Sequence, residues 1–218
     1  MSSSIGFSAL PADPWAQVEL ERRSVISPNI YLTTTAGPAD LNRTQLSVKN
    51  DGTLSSLSPI YPGRYRVHVP AQSKANAEIT SDYYLVEARF DGRVVTNDEF
   101  EIAAFGELKI KIGQTVPLDG VVVDAQDQPF TGAGVVLIPD PPLRDRKDLY
   151  RVAYADMFGR FSIRAAPGSY KVIALDELPI GSYLVSDFAT RNESHAIPVR
   201  LDKTGQTGTR LKVVRADQ

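Results

Sequence analysis

The chain has 218 residues, 42% hydrophobic and 23% charged, with a formal net charge of −2 and no cysteine. A near-neutral chain carries no basic footprint for nucleic acid, and no apolar run approaches the ~20 residues that cross a bilayer as a helix. The lack of cysteine excludes disulfides, zinc–thiolate sites and cysteine nucleophiles, leaving cytoplasm and bacterial exterior both open as compartments.

In chain order, the opening MSSSIGFSALPADPW lacks the basic region and apolar stretch of a secretory signal, and residues 1–16 are expected to form an N-terminal arm. Alternation of apolar and polar residues then predicts half-buried strands at QVELERR (17–23), NIYLTTT (29–35), TQLSVK (44–49), RYRVHV (64–69), YYLVEARF (83–90) and ELKIKI (107–112). A boundary is expected near Gly113 with almost no linker, dividing 17–113 from 114–218. The second part repeats the style in GVVVD (120–124), GVVLIP (134–139), LYRVAYA (149–155), RFSIRA (160–165), SYKVIAL (169–175), IPVRL (197–201) and RLKVV (210–214). No segment has a convincing helical period beyond one or two turns at SDFATRN (186–192). The expected fold is all-β: two tandem antiparallel β-sandwiches of immunoglobulin or prealbumin type with little helix.

One motif is written twice. YPGRYRVHV (61–69) and APGSYKVIA (166–174) share Pro-Gly, any residue, Tyr, then a strand, with Pro62 and Pro167 separated by 105 residues. That spacing exceeds solenoid periods of about 20–50 residues and matches one sandwich domain. The preceding stretches also correspond, with glycine turns at Gly52 and Gly159. Each copy therefore reads as a hairpin in which Pro62-Gly63 or Pro167-Gly168 forms a type II turn. Alternation puts Tyr65 with Val67 and Val69 on one face, and Tyr170 with Val172 and Ala174 on the corresponding face. These tyrosines are expected to close the core with the hydroxyl at its rim, as in a tyrosine corner.

Residues 114–216 resemble the carboxypeptidase regulatory-like domain, a prealbumin-type (carbohydrate-binding-like) sandwich that occurs in tandem on bacterial envelope and secreted proteins. The resemblance is carried by Gly120, Asp124, Pro129 and Gly132 in LDGVVVDAQDQPFTGAG, and by Gly159, Phe161, Pro167, Gly168 and Tyr170 in the later hairpin. Asp127 stands where that family commonly has glycine, and Gly134 where it has a branched or hydroxyl residue. The first part keeps DGTL and PGRYRV but lacks the opening Gly-x-Val-x-Asp hairpin. The resemblance implies a non-catalytic module with an extracytoplasmic address, its signal sequence absent from this chain.

Catalytic motifs are missing: there is no Gly-x-Ser-x-Gly, His-Glu-x-x-His or phosphate-cradling glycine loop. His68 falls on the strand face of Arg64 and Arg66, and His195 sits in a loop beside Glu193 and Ser194, which is not how triad members converge. The turn aspartates Asp124 and Asp156 suit Asx-turns better than a calcium loop, so no metal or other cofactor is expected. Charge alternation in RDRKDLY (144–150) reads as a solvated hairpin tip.

Binding is the better class of function, because loops on a rigid sandwich make recognition surfaces. One reading is a structural spacer or adhesion module meeting an envelope protein, with strands such as TQLSVK as exposed edges. The alternative is a carbohydrate-binding module that places a parent protein on polysaccharide. The aromatics for stacking on sugar would be Trp15, Tyr83, Tyr84, Tyr183 and Phe188.

Overall fold

The computed structural model describes residues 6–9, 30–34, 43–48, 53–56, 58–70, 72–73, 79–80, 82–103 and 106–215. The chain separates into two compact units, Met1–Gln114 and Thr115–Gln218. QVELERR, Trp15 and Gly52 lie outside the described residues.

The first unit contains β1 (Gly6–Ala9), β2 (Ile30–Thr34), β3 (Arg43–Val48), β4 (Thr53–Ser56), β5 (Gly63–His68), the two-residue pair β6 (Gln72–Ser73) and β7 (Ile79–Thr80), β8 (Tyr83–Phe90), β9 (Arg93–Val94), β10 (Phe100–Ile102) and β11 (Glu107–Gln114). Nine of these strands follow one hydrogen-bonded path, β10-β5-β2-β3-β4-β1-β11-β8-β9. The path bends around a single core. Ile30 and Leu32 of β2, Tyr65 and Val67 of β5 and Ile102 of β10 meet Leu85 and Ala88 of β8 and Leu108 and Ile110 of β11. The every-second-residue spacing in β2, β5 and β11 is the alternation read from sequence, whereas Leu85 and Ala88 are three apart because the register of β8 against β11 shifts at Val86.

Within the expected N-terminal arm, residues 6–9 form β1, which lies between β4 and β11, parallel to the latter. Four residues carry too short a pattern to register as a strand by periodicity. β3 is also not an edge, since it pairs with both β2 and β4.

The second unit contains β12 (Val116–Val123), β13 (Gly134–Pro139), β14 (Arg151–Tyr154), β15 (Arg160–Ala165), β16 (Gly168–Leu175), β17 (Ile197–Leu201) and β18 (Gln206–Val214). β15, β12 and the first part of β18 form one sheet; β14, β13, β16 and β17 form the other. Their inner faces share a core that includes Leu118, Val122, Val135, Leu137, Phe161, Ile163, Tyr170, Val172 and Leu201. The antiparallel expectation needs correction at two places here: β18 runs parallel to β12, and its last residues run parallel to the end of β16. A strand that changes sheets must present its two ends to different neighbours, and here both neighbours run in its own direction.

β13 is buried along its whole length, the reason GVVLIP is a continuous apolar run. Its second face, with Val136 and Ile138, joins Tyr150, Val152, Ile173 and Leu175 under the connection from β16 to β17. That connection supplies Phe188 and Ala189 from a four-residue helix, Phe188–Arg191, and packs Leu178 and Tyr183 against the same cluster.

Candidate functional site

The repeated Pro-Gly-x-Tyr motif is a pair of tyrosine corners. The Tyr65 hydroxyl donates to the carbonyl of Tyr61 at 2.7 Å, and the Tyr170 hydroxyl donates to the carbonyl of Ala166 at 2.8 Å. In both, the acceptor is the residue before proline, four positions upstream of the tyrosine. The bond folds the aromatic ring back over the intervening glycine: a Cβ on Gly63 would lie 3.6 Å from the Tyr65 ring, and one on Gly168 3.4 Å from the Tyr170 ring. The expected type II turn is therefore corrected. Gly63 has no positive φ and Gly168 stands at φ 159, far from the φ of about +80 of a type II glycine, while a Cβ at either position would make only ordinary contact with the ring. Burial pushes the Tyr65 phenol above its ordinary value, while the bond to Tyr61 acts in the other direction.

The remaining marks of the resemblance also support backbone geometry. Gly159 takes φ +71 in the β14–β15 turn, where a Cβ would approach the Val122 carbonyl to 2.5 Å. Gly120 lies where a Cβ would meet the Thr209 carbonyl at 2.1 Å and the Phe161 ring at 2.7 Å. Pro129 bridges to Val123 and closes the loop that begins at Asp124, while Gly132 has φ +79. Asp124 Oδ1 accepts the amides of Gln126 and Gln128 at 2.9 and 2.8 Å. Asp156 Oδ1 accepts those of Phe158 and Arg160, both at 2.8 Å. These carboxylates are Asx-turn acceptors, each holding two amides with one oxygen. No group of three or more His, Asp or Glu suited to a metal ion occurs among the described residues.

The aromatic candidates for sugar stacking have separate tasks. Phe188 is 4% exposed inside the second small core, so a stacking role is corrected to a packing one; its connection folds back over the sheet, a contact distant in sequence. Tyr183 is partly buried against that same cluster. Tyr84 faces Gly113 across β8 and β11, and a Cβ there would lie 2.6 Å from its ring. Its ring thus covers a glycine gap in the neighbouring strand. Tyr83, opposite Gln114, is half-buried.

Charged side chains are also committed. Glu193 turns from His195 to Lys171 Nζ at 2.5 Å and Arg144 Nη2 at 3.3 Å, fastening the β16–β17 connection to β16 and to the β13–β14 connection. The Lys171 bond, followed by that of Arg144, holds the Glu193 carboxyl below its ordinary range. RDRKDLY is not a solvated tip. Arg146 clasps Asp148 through two bonds of 2.9 and 2.6 Å, and Tyr150 donates to the Arg144 carbonyl at 3.0 Å. Arg151, 3% exposed, donates to the carbonyls of Asp148 and Tyr150, and burial lowers its pKa from the usual guanidinium value.

A feature missed by sequence periodicity lies in the first unit. A groove of about 370 Å³ is bordered by Arg64, Phe90, Arg93, Val95, Glu99, Phe100 and Glu101. Phe90 and Phe100 meet in its floor with centroids 4.9 Å apart and planes tilted by 34°. Arg66 reaches Glu99 at 3.5 Å. The signal was the three-residue alternation Phe100, Glu101, Ile102, too brief to stand out.

Comparison with solved structures finds similarity to the Bacillus anthracis TIE protein (13% identity, 98% of this chain and 33% of that one, TM-score 0.29). A Streptococcal ancillary pilin (12%, 97% and 61%, TM-score 0.33) and the shaft pilin spaA from Lactobacillus rhamnosus GG (12%, 99% and 97%, TM-score 0.28) are similar to the same degree. The chain spans less than two thirds of the first two proteins. Scores this low transfer neither fold detail nor partners. No family model and no curated protein matches the chain, so its resemblance to regulatory-like domains rests on the turn and strand residues described above.

Proposed function

We propose that this chain is a non-catalytic, extracytoplasmic β-sandwich module of a bacterial envelope or secreted protein, acting as a structural spacer or adhesion module. The supporting observation is the use of its signature residues. The two tyrosine corners and the glycines around them brace strands, and Asp124, Asp156 and Glu193 hold backbone or neighbouring side chains. A rigid scaffold with its polar groups so engaged suits load-bearing and surface contact better than chemistry. The proposal includes membership of the second unit, residues 114–218, in the carboxypeptidase regulatory-like group, with 17–113 a divergent relative. In its favour, Asp127 has φ 62, the conformation that glycine supplies in that group.

The test is labelling of intact source cells with antibody against the chain, beside binding of the purified chain to peptidoglycan and a panel of polysaccharides. Labelling of unbroken cells without saturable glycan binding is the expected result. Labelling only after lysis would overturn the extracytoplasmic assignment. Glycan binding abolished by Tyr83→Ala in a folded chain would replace the spacer reading with the carbohydrate-binding one.

A further inference from the structure

We infer that the groove beside β10 receives an extended segment of a partner protein, added to the sheet as a further strand and written basic–apolar–basic. The inference goes beyond the spacer reading and does not depend on where the module resides.

Three observations converge on the groove. Among the described residues β10 and β9 are the ends of the nine-strand path, each with a strand partner on one side only. Both ends border the same groove, through Phe100 and Glu101 of β10 and Arg93 of β9. An unpaired strand edge offers backbone donors and acceptors to an incoming strand, and three residues of β10 give ~10 Å of pairing length. The floor supplies an apolar contact for one inward side chain at the partly buried Phe90, which packs over the buried Val95 and Phe100.

The charges specify the segment. Glu99 and Glu101 flank the inward Phe100, so they stand on the other face of the strand. β5 already shows what satisfies this arrangement: Tyr65 pairs with Phe100, Arg64 with Glu101, and Arg66 reaches Glu99 at 3.5 Å. Basic–aromatic–basic on β5 thus meets acidic–aromatic–acidic on β10. A strand on the opposite edge faces the same two carboxylates and the same aromatic floor, and Arg93 at the far rim favours an acidic residue at one end of the segment. Cross-strand pairs of opposite charge and apolar pairs on alternate faces are the units that select such a strand.

The experiment uses the whole chain and a synthetic peptide with the sequence of residues 61–70, YPGRYRVHVP, together with a form in which both arginines are glutamate. Binding is read by hydrogen exchange over residues 99–103 and by titration up to about 1 mM, the weak end of specific affinity. The arginine peptide should bind and slow exchange in 99–103, and the glutamate peptide should bind at least about tenfold more weakly. The exposed substitution Glu101→Lys should reverse this order, with folding checked by its thermal melt. No binding by the arginine peptide, protection elsewhere, or an unchanged preference in folded Glu101→Lys would overturn the inference.

Discussion

Removing the hydroxyl from each tyrosine corner should reveal that one motif has different energetic weight in the two units. Tyr170→Phe and Tyr65→Phe each lose one hydrogen bond, a net ~1 kcal/mol. The acceptors differ: Ala166 is 4% exposed, whereas Tyr61 is 68% exposed. An orphaned buried carbonyl adds about 1–3 kcal/mol, while an accessible one rebinds water. The expected loss is therefore about 2–4 kcal/mol for Tyr170→Phe and about 1 kcal/mol for Tyr65→Phe. In a unit of roughly 100 residues the Tyr170→Phe loss lowers the melting temperature by about 10–20 °C. Hydrogen exchange of β16 and of β5 across a denaturant series reports each unit separately, avoiding a two-state treatment of the whole chain. Equal losses, or a loss below about 0.5 kcal/mol at Tyr170, would refute the assignment of the buried corner as the stronger one.

Two glycines that look alike in sequence should respond differently to alanine. Gly120→Ala drives a Cβ into the Thr209 carbonyl and the Phe161 ring and should cost about 3 kcal/mol or more; Gly132→Ala, with open space around it but φ +79, should cost about 1 kcal/mol, both read by chemical denaturation. Asp127→Gly relieves a left-handed aspartate at φ 62 but loses an exposed 3.1 Å pair with Arg210, so stability should change by less than ~1 kcal/mol, while the β-branched Asp127→Val should destabilise by about 1–2 kcal/mol. Glu193 is depressed in the folded chain, so its contribution is present above the ordinary carboxylate value of 4.5 and is lost as pH falls through the lower folded value. Amides of Ser182–Leu184 and Phe188–Arg191 should then lose protection after correction for intrinsic exchange, and Glu193→Gln should remove that pH dependence.

Strands with several alternations were legible from residues alone. RFSIRA coincides with β15 because one face meets a core and the other meets solvent, and YYLVEARF coincides with β8 although a register shift at Val86 breaks its alternation. Short strands were not: β1, β9 and β10 have four, two and three residues, and their existence depends on neighbours already in place. The same limit hid the groove, whose walls come from Arg64, Phe90, Arg93 and Phe100, separated along the chain.

The sequence by itself determined the all-β class, the alternating faces and the role of Tyr65 and Tyr170 at the core rim, since these follow from side-chain period and local chain reversal. Tertiary structure alone decided that Gly113 makes room for the Tyr84 ring and Gly120 for that of Phe161, that Phe188 is a core residue, and that RDRKDLY is a fastened network rather than a solvated tip. The physical reason is range: periodicity records which side of a strand avoids water, whereas a Cβ-sized space, a carbonyl acceptor or a cation near Glu193 exists only after distant segments have packed.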